Sequence, residues 1–163
     1  MKIIKSPLHD LAPSSISFDG NTVLVKIHWE LDSDKLYVLN PLDLHYSNSG
    51  DIYYTQCLAH PSYWKIKKLQ IPRFNIGEVK IDTNKLVYPM GSNDFEVNFD
   101  PNSRMVQFIF DTKSRNVTEY ISFAKNIICG ISHDNLVEIT LINIPKNIIE
   151  DILKSRNDIV PAK

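Results

Sequence analysis

Apolar residues along this chain recur mostly at every second position, the period of strands rather than of helices. In residues 22–31 (TVLVKIHWEL), Val23, Val25, Ile27 and Trp29 point one way, while Leu24, Lys26, His28 and Glu30 point the other. That is the alternation of a half-buried antiparallel strand. Residues 14–19 (SSISFD) form its predicted partner, and Gly20-Asn21 between them favours the positive φ of a tight hairpin turn. Further strands are predicted at 51–59, 63–71, 76–82, 85–88, 95–99, 104–111 and 136–143. Pro61 cannot donate to a ladder, so His60-Pro61-Ser62 reads as a connection. Residues 32–50 are rich in Asp, Ser, Asn, Pro and Gly, which predicts loops and one irregular strand.

Two later segments carry helical spacing. In 145–156 (PKNIIEDILKSR), Pro145 suits a first helical position and Ile148, Ile149, Ile152 and Leu153 share a face. Lys154 and Arg156 near its end oppose the helix dipole. In 117–129, Val117, Tyr120, Ile121, Ala124, Ile127 and Ile128 also fall on one helical face, with Gly130 as a cap, although the β-branched content favours a strand. The predicted fold is α+β and mostly β: an antiparallel sheet or sandwich with one or two helices in the C-terminal third. No linker or internal repeat divides the chain, so residues 1–163 read as a single domain.

Composition excludes several classes. The net charge of -1 draws the protein neither to nucleic acid nor to anionic lipid. Its local sign alternates. Glu30, Asp32, Asp34, Asp43 and Asp51 face only Lys35 within 28–59; Lys65, Lys67, Lys68, Arg73 and Lys80 face only Glu78 within 60–80; residues 82–111 turn acidic again. Such alternation suits specific contact between macromolecules better than general polyelectrolyte binding. Cys57 and Cys129 lie in apolar stretches and read as buried thiols. The opening MKIIKSPLHD lacks the apolar core of a signal peptide and no run is long enough to span a membrane, so a cytoplasmic protein without a membrane partner is expected.

No constellation assembles a catalytic, metal or cofactor site. His9-Asp10 and His133-Asp134 could supply paired metal ligands as in helical phosphohydrolases, but both fall in or beside strands and loops, where Asp shapes turns. Cys57-Leu58-Ala59-His60 has the gap of a zinc half-site, yet no second pair completes it, and positions three apart on a strand face opposite ways. There is no G-x-S-x-G elbow and no phosphate loop. A hydrolase or ribonuclease built from the five dispersed histidines is the enzymatic alternative, and an adaptor module the non-enzymatic one. Tyr63-Trp64-Lys65-Ile66-Lys67-Lys68 mixes aromatics with cations, but three lysines make a small footprint for nucleic acid; a strand with Trp64 and Ile66 in the core is expected instead. Carboxylates beside tyrosines are the composition of a protein-recognition surface. The candidate partner-binding residues are therefore Glu30, Asp32, Asp34, Tyr37, Asp43, Tyr46 and Asp51.

The run Leu8-His9-Asp10-Leu11, followed by Ser15–Asn21 and the strand Val23–Trp29, resembles the start of small bacterial immunity proteins of polymorphic-toxin and contact-dependent inhibition systems. Val106–Asp111 is similar in pattern. The resemblance implies a cytoplasmic, non-enzymatic protein that binds a cognate toxin, such as a nuclease with a basic cleft, and blocks its active site. It implies no cofactor and carries over no individual contact residue.

Overall fold

The computed structural model describes residues 2–7, 9–27, 35–38, 42–57, 59–85, 95–110 and 116–157. Among them two β-sheets enclose one core. The smaller is antiparallel throughout, in the spatial order β2 (Ser14–Phe18), β3 (Val23–Ile27), β6 (Ile52–Cys57), β5 (Leu42–Tyr46) and β4 (Lys35–Val38). The larger runs β1 (Ile3–Pro7), β8 (Asn75–Ile81), β11 (Glu119–Ala124), β12 (Ile127–Ser132), β13 (Asn135–Leu141), β10 (Met105–Ile109), β9 (Glu96–Asp100) and β7 (Lys65–Ile66). Its pairs are antiparallel except β8 with β11 and β7 with β9. The single helix among the described residues, α1 (Lys146–Asn157), buries Ile148, Ile149 and Ile152 in the same core. The mostly β reading holds, with mixed rather than purely antiparallel pairing in the larger sheet.

The alternation seen in sequence fixes which side chains meet. Val23, Val25 and Ile27 share the core with Leu42 and Leu44 of β5 and with Phe99 and Phe108 of the larger sheet. The β2–β3 turn forms at Gly20, whose φ is +100°, while the Asp19 carboxylate accepts the N–H groups of Asn21 and Thr22 at 3.0 and 2.8 Å. His133 and Asp134 both adopt positive φ at the tip of the β12–β13 hairpin, so this His-Asp pair shapes a turn.

Four expectations need correction. Residues 119–132 form the strands β11 and β12, not a helix over 117–129. Every position of β12 is buried, and a strand covered on both faces reads as a continuous apolar run whose period is ambiguous. The predicted strand 63–71 shrinks to Lys65–Ile66, because His60 and Pro61 start a 3-10 turn over Pro61–Tyr63, with the His60 ring accepting the Ser62 N–H. Trp64 does enter the core, but Ile66 at the sheet edge is 57% exposed. Residues 32–50 hold two strands, β4 and β5, instead of one irregular one. The predicted strand at 85–88 begins on Lys85, the end of a 3-10 turn, and its remainder lies outside the described residues.

The two sheets are joined at the β5–β6 turn. Gly50, at φ +89°, offers its carbonyl to the Ile81 N–H at 2.8 Å, and Asp51 bridges Lys80 on β8. Lys80 is ion-paired to both Asp51 (3.3 Å) and Glu78 (3.0 Å).

A strap crosses the outer face of the larger sheet. β7 and β8 stand on either side of β9, β10, β13, β12 and β11. The six strand steps between them span roughly 29 Å at about 4.8 Å each, and about nine residue steps of extended chain cover roughly 30 Å. Residues 67–74 therefore cross almost fully stretched. Leu69 pins the strap, packing with Met105, Ile128 and Ile142, and its N–H donates to the Asp100 carboxylate at 2.8 Å. Burial alone would raise the Asp100 carboxyl, but the N–H groups of Leu69, Ser103 and Asn102 and the Ser103 hydroxyl outweigh it and hold the group below the usual carboxylate range. A depressed carboxyl stabilises the fold above its unfolded-state value and loses that contribution as pH falls through the folded one. Asp100→Asn is thus expected to lower the urea midpoint at neutral pH, with the gap to the parent chain closing below about pH 4. An equal gap at both ends of a pH-resolved urea series would refute this.

Candidate partner-binding face

The outward face of the smaller sheet follows from strand parity. On β5 the sequence Leu42-Asp43-Leu44-His45-Tyr46 alternates, so the leucines and Tyr46 turn inward and Asp43 and His45 outward. Cross-strand register then builds a row over four strands: Lys26 on β3 opposes Tyr54 on β6, Tyr54 opposes His45 on β5, and His45 opposes Leu36 on β4. A second row places Leu24 opposite Gln56 and Gln56 opposite Asp43. Lys26 and Leu36 are exposed, while Leu24, Asp43, His45, Tyr54 and Gln56 are half-buried.

The centre of the face is aromatic. The His45 and Tyr54 rings meet edge-on with centroids 4.9 Å apart. Burial, followed by the carboxylates of Asp19 and Asp43, raises the Tyr54 phenol, which stays protonated at neutral pH and reaches Gln56 Oε1 at 3.4 Å. Burial also raises the Asp43 carboxyl against the opposing pull of His45. Among the described residues Asp43 Oδ1 has no hydrogen-bond partner. The face thus combines a rigid aromatic pair, flanking aliphatic carbons and an under-compensated carboxylate, which are the parts of a recognition surface for a cationic, partly apolar partner.

The structure sorts the acidic candidates. Asp43 lies on this face. Tyr46 does not: it is 2% exposed, because it shares strand parity with Leu42 and Leu44. Asp51 sits at the junction of the sheets, paired with Lys80. Tyr37 lies on β4, in register with Leu44. Glu30, Asp32 and Asp34 lie outside the described residues. Sequence reasoning missed His45, Tyr54 and Lys26 as one set. The alternation within each strand was visible, but the register uniting β3, β6, β5 and β4 was not.

A second concavity, a cleft of about 550 Å3, opens between the β2–β3 turn and α1 and is lined by Phe18, Asn21, His60, Lys154 and Ser155. His60 Nδ1 accepts the Ser62 N–H at 3.2 Å, which leaves Nε2 protonated and directed at Ser155 Oγ, 3.3 Å away. Ser155 donates to the Gly20 carbonyl at 2.7 Å. The proton order runs from histidine to serine to carbonyl, opposite to the order in which histidine activates a serine nucleophile. Arg156 donates to the carbonyls of Pro61 and of Trp64, the latter at 2.8 Å. These contacts tie α1 to the 3-10 turn.

The Cys57–His60 half-site is likewise occupied by its own surroundings. Burial pushes the Cys57 thiol up to about 12. Its Sγ lies 3.9 Å from the Ala59 carbonyl, and both His60 nitrogens are engaged as described. The Cys129 thiol is also raised by burial, with Glu138 adding to it. Among the described residues, no helix is long and apolar enough to cross a membrane.

No protein-family model and no curated protein matches this chain.

Proposed function

We propose that this chain is a non-enzymatic immunity-type protein that binds a cognate bacterial toxin and blocks its active site. The observation that carries the reading is the row Lys26–Tyr54–His45–Leu36, an ordered amphipathic strip on the outer face of the smaller sheet. Aromatic residues that are already half-buried lose little freedom on binding and make efficient anchors. Beside them Asp43 would gain a partner from a basic cleft such as that of a nuclease, and the acid-rich stretch 28–59 would steer such a cleft toward the face. The proton order at His60 supports a binding role over the histidine-hydrolase alternative. On this reading the protein works in the cytoplasm, where the toxin would act.

The test is co-expression with the product of a neighbouring reading frame that is toxic when expressed alone; the absence of such a frame would count against the reading. Cells are expected to survive and the two proteins to co-purify. The folded double variant Asp43→Lys/Tyr54→Ala is expected to lose protection. Cell death in the presence of soluble, folded parent chain would overturn the proposal.

A further inference from the structure

The strap carries a surface that the proposed toxin-binding face does not use. Its exposed apolar side chains are Ile66, Ile71 (53% exposed) and Phe74, continued by Ile76 on β8. Between them stand Lys67, Lys68 and Arg73, which are exposed and make no ion pair among the described residues. Isolated exposed isoleucines are ordinary on a protein surface; four exposed apolar side chains within residues 66–76, set among three cations, are less so. The backbone is open as well. Lys67 N–H bonds to Phe99 O and Leu69 N–H to Asp100, but among the described residues Lys68 and residues 70–73 make no backbone hydrogen bond. An extended backbone with free N–H and C=O groups is a template for strand addition.

We propose that the strap is a docking edge for an extended protein segment that carries carboxylates between apolar side chains. Each part of the surface selects one property of that occupant. The three exposed cations, of which Lys67 also acts on Glu96, select carboxylates, and the aliphatic side chains select apolar partners. The free backbone of Lys68 and 70–71 selects another peptide backbone, and the ladder ends at Pro72, which has no N–H to give. A lipid interior would leave those backbone groups without hydrogen-bond partners. Among the four exposed apolar side chains only Phe74 carries a ring, a small platform for stacking single-stranded nucleic acid. Leu69, pinned in its pocket by Met105, Ile128 and Ile142, keeps the strap stretched before the partner arrives. Little ordering cost then remains to be met on binding.

The probe is a synthetic peptide of about nine residues, the length of the strap with its flanks, alternating glutamate and valine. Its control has lysine for glutamate. Isotope-labelled full-length chain is titrated with each by NMR. The glutamate peptide is expected to shift amides of residues 66–76, and Lys67→Glu/Lys68→Glu to weaken it by at least about tenfold. Tyr54→Ala, on the other face, is expected to leave it unchanged. The exposed double variant is expected to keep the spectrum of the free parent chain elsewhere. Four results would overturn the proposal: equal binding of both peptides, binding of neither, retention of the chain on phosphatidylcholine–phosphatidylserine vesicles at physiological salt, or self-association of the free chain that the double variant abolishes.

Discussion

Gly50→Ala is expected to be the most damaging small substitution in this protein. At φ +89° any side chain is strained, which costs about 1–3 kcal/mol. The added Cβ would also overlap the Ile81 carbonyl oxygen and stand 3.2 Å from Ile81 N. Ile81 has no room to yield, since its N–H already donates to Gly50 and its residue pairs with Ile3 on β1. Overpacking of that kind adds about 1–3 kcal/mol. The sum, about 2–6 kcal/mol, lowers Tm by roughly 10 °C at its middle value in a chain of this size. Gly20→Ala is the matched control: its φ is +100°, but nothing lies within 4 Å of the added Cβ. It bears the strain alone, about 1–3 kcal/mol. Equal thermal shifts for the two variants would show that the contact at Ile81 does not join the sheets.

Trp64→Ala ranks second. The ring is 2% exposed and meets Phe99 and Phe108 edge-on at 5.9 and 6.3 Å, while its Nε1–H donates to the Ala59 carbonyl at 2.8 Å. Truncating such a residue costs about 3–5 kcal/mol. The loss spreads, because the Trp64 carbonyl is one of the two acceptors that hold Arg156 and so α1. Trp64→Phe keeps most of the volume and forfeits the hydrogen bond, at about 1 kcal/mol. Urea denaturation of the two variants separates packing from hydrogen bonding. A Phe variant as unstable as the Ala variant would contradict the packing account.

Much of this was legible in the chain itself. Period-two alternation in Val23–Ile27 gave both the strand and its inward face, whereas the same alternation in Leu42–Tyr46 was hidden in a stretch read as loops with one irregular strand. Gly20 gave the first hairpin, and the isoleucines of 145–156 gave α1. What failed had separate causes. Where a strand is covered on both faces, as in β12, alternation vanishes and helix and strand look alike. β1 went unseen because IIKSP carries only one buried residue, Ile3. The strap could not be read either, since its course depends on β7 and β8 lying on opposite sides of one sheet. The site was half legible. Composition pointed to 30–51, and Asp43 does lie on the outward face, but Tyr46 was assigned to the surface although its own strand's alternation places it inside. The row that unites Lys26, Tyr54, His45 and Leu36 depends on non-local register, which no single segment encodes.

Whether the proposed toxin docks on the outer face of the smaller sheet is decided by titration calorimetry of the purified chain against the purified, catalytically inactivated toxin domain. A one-to-one complex is expected, which Leu36→Ala/Tyr54→Ala weakens by about thirtyfold or more, roughly 2 kcal/mol, and which Lys67→Glu/Lys68→Glu leaves intact. Absence of binding by the folded parent chain, or full affinity in the Leu36/Tyr54 variant, would contradict it.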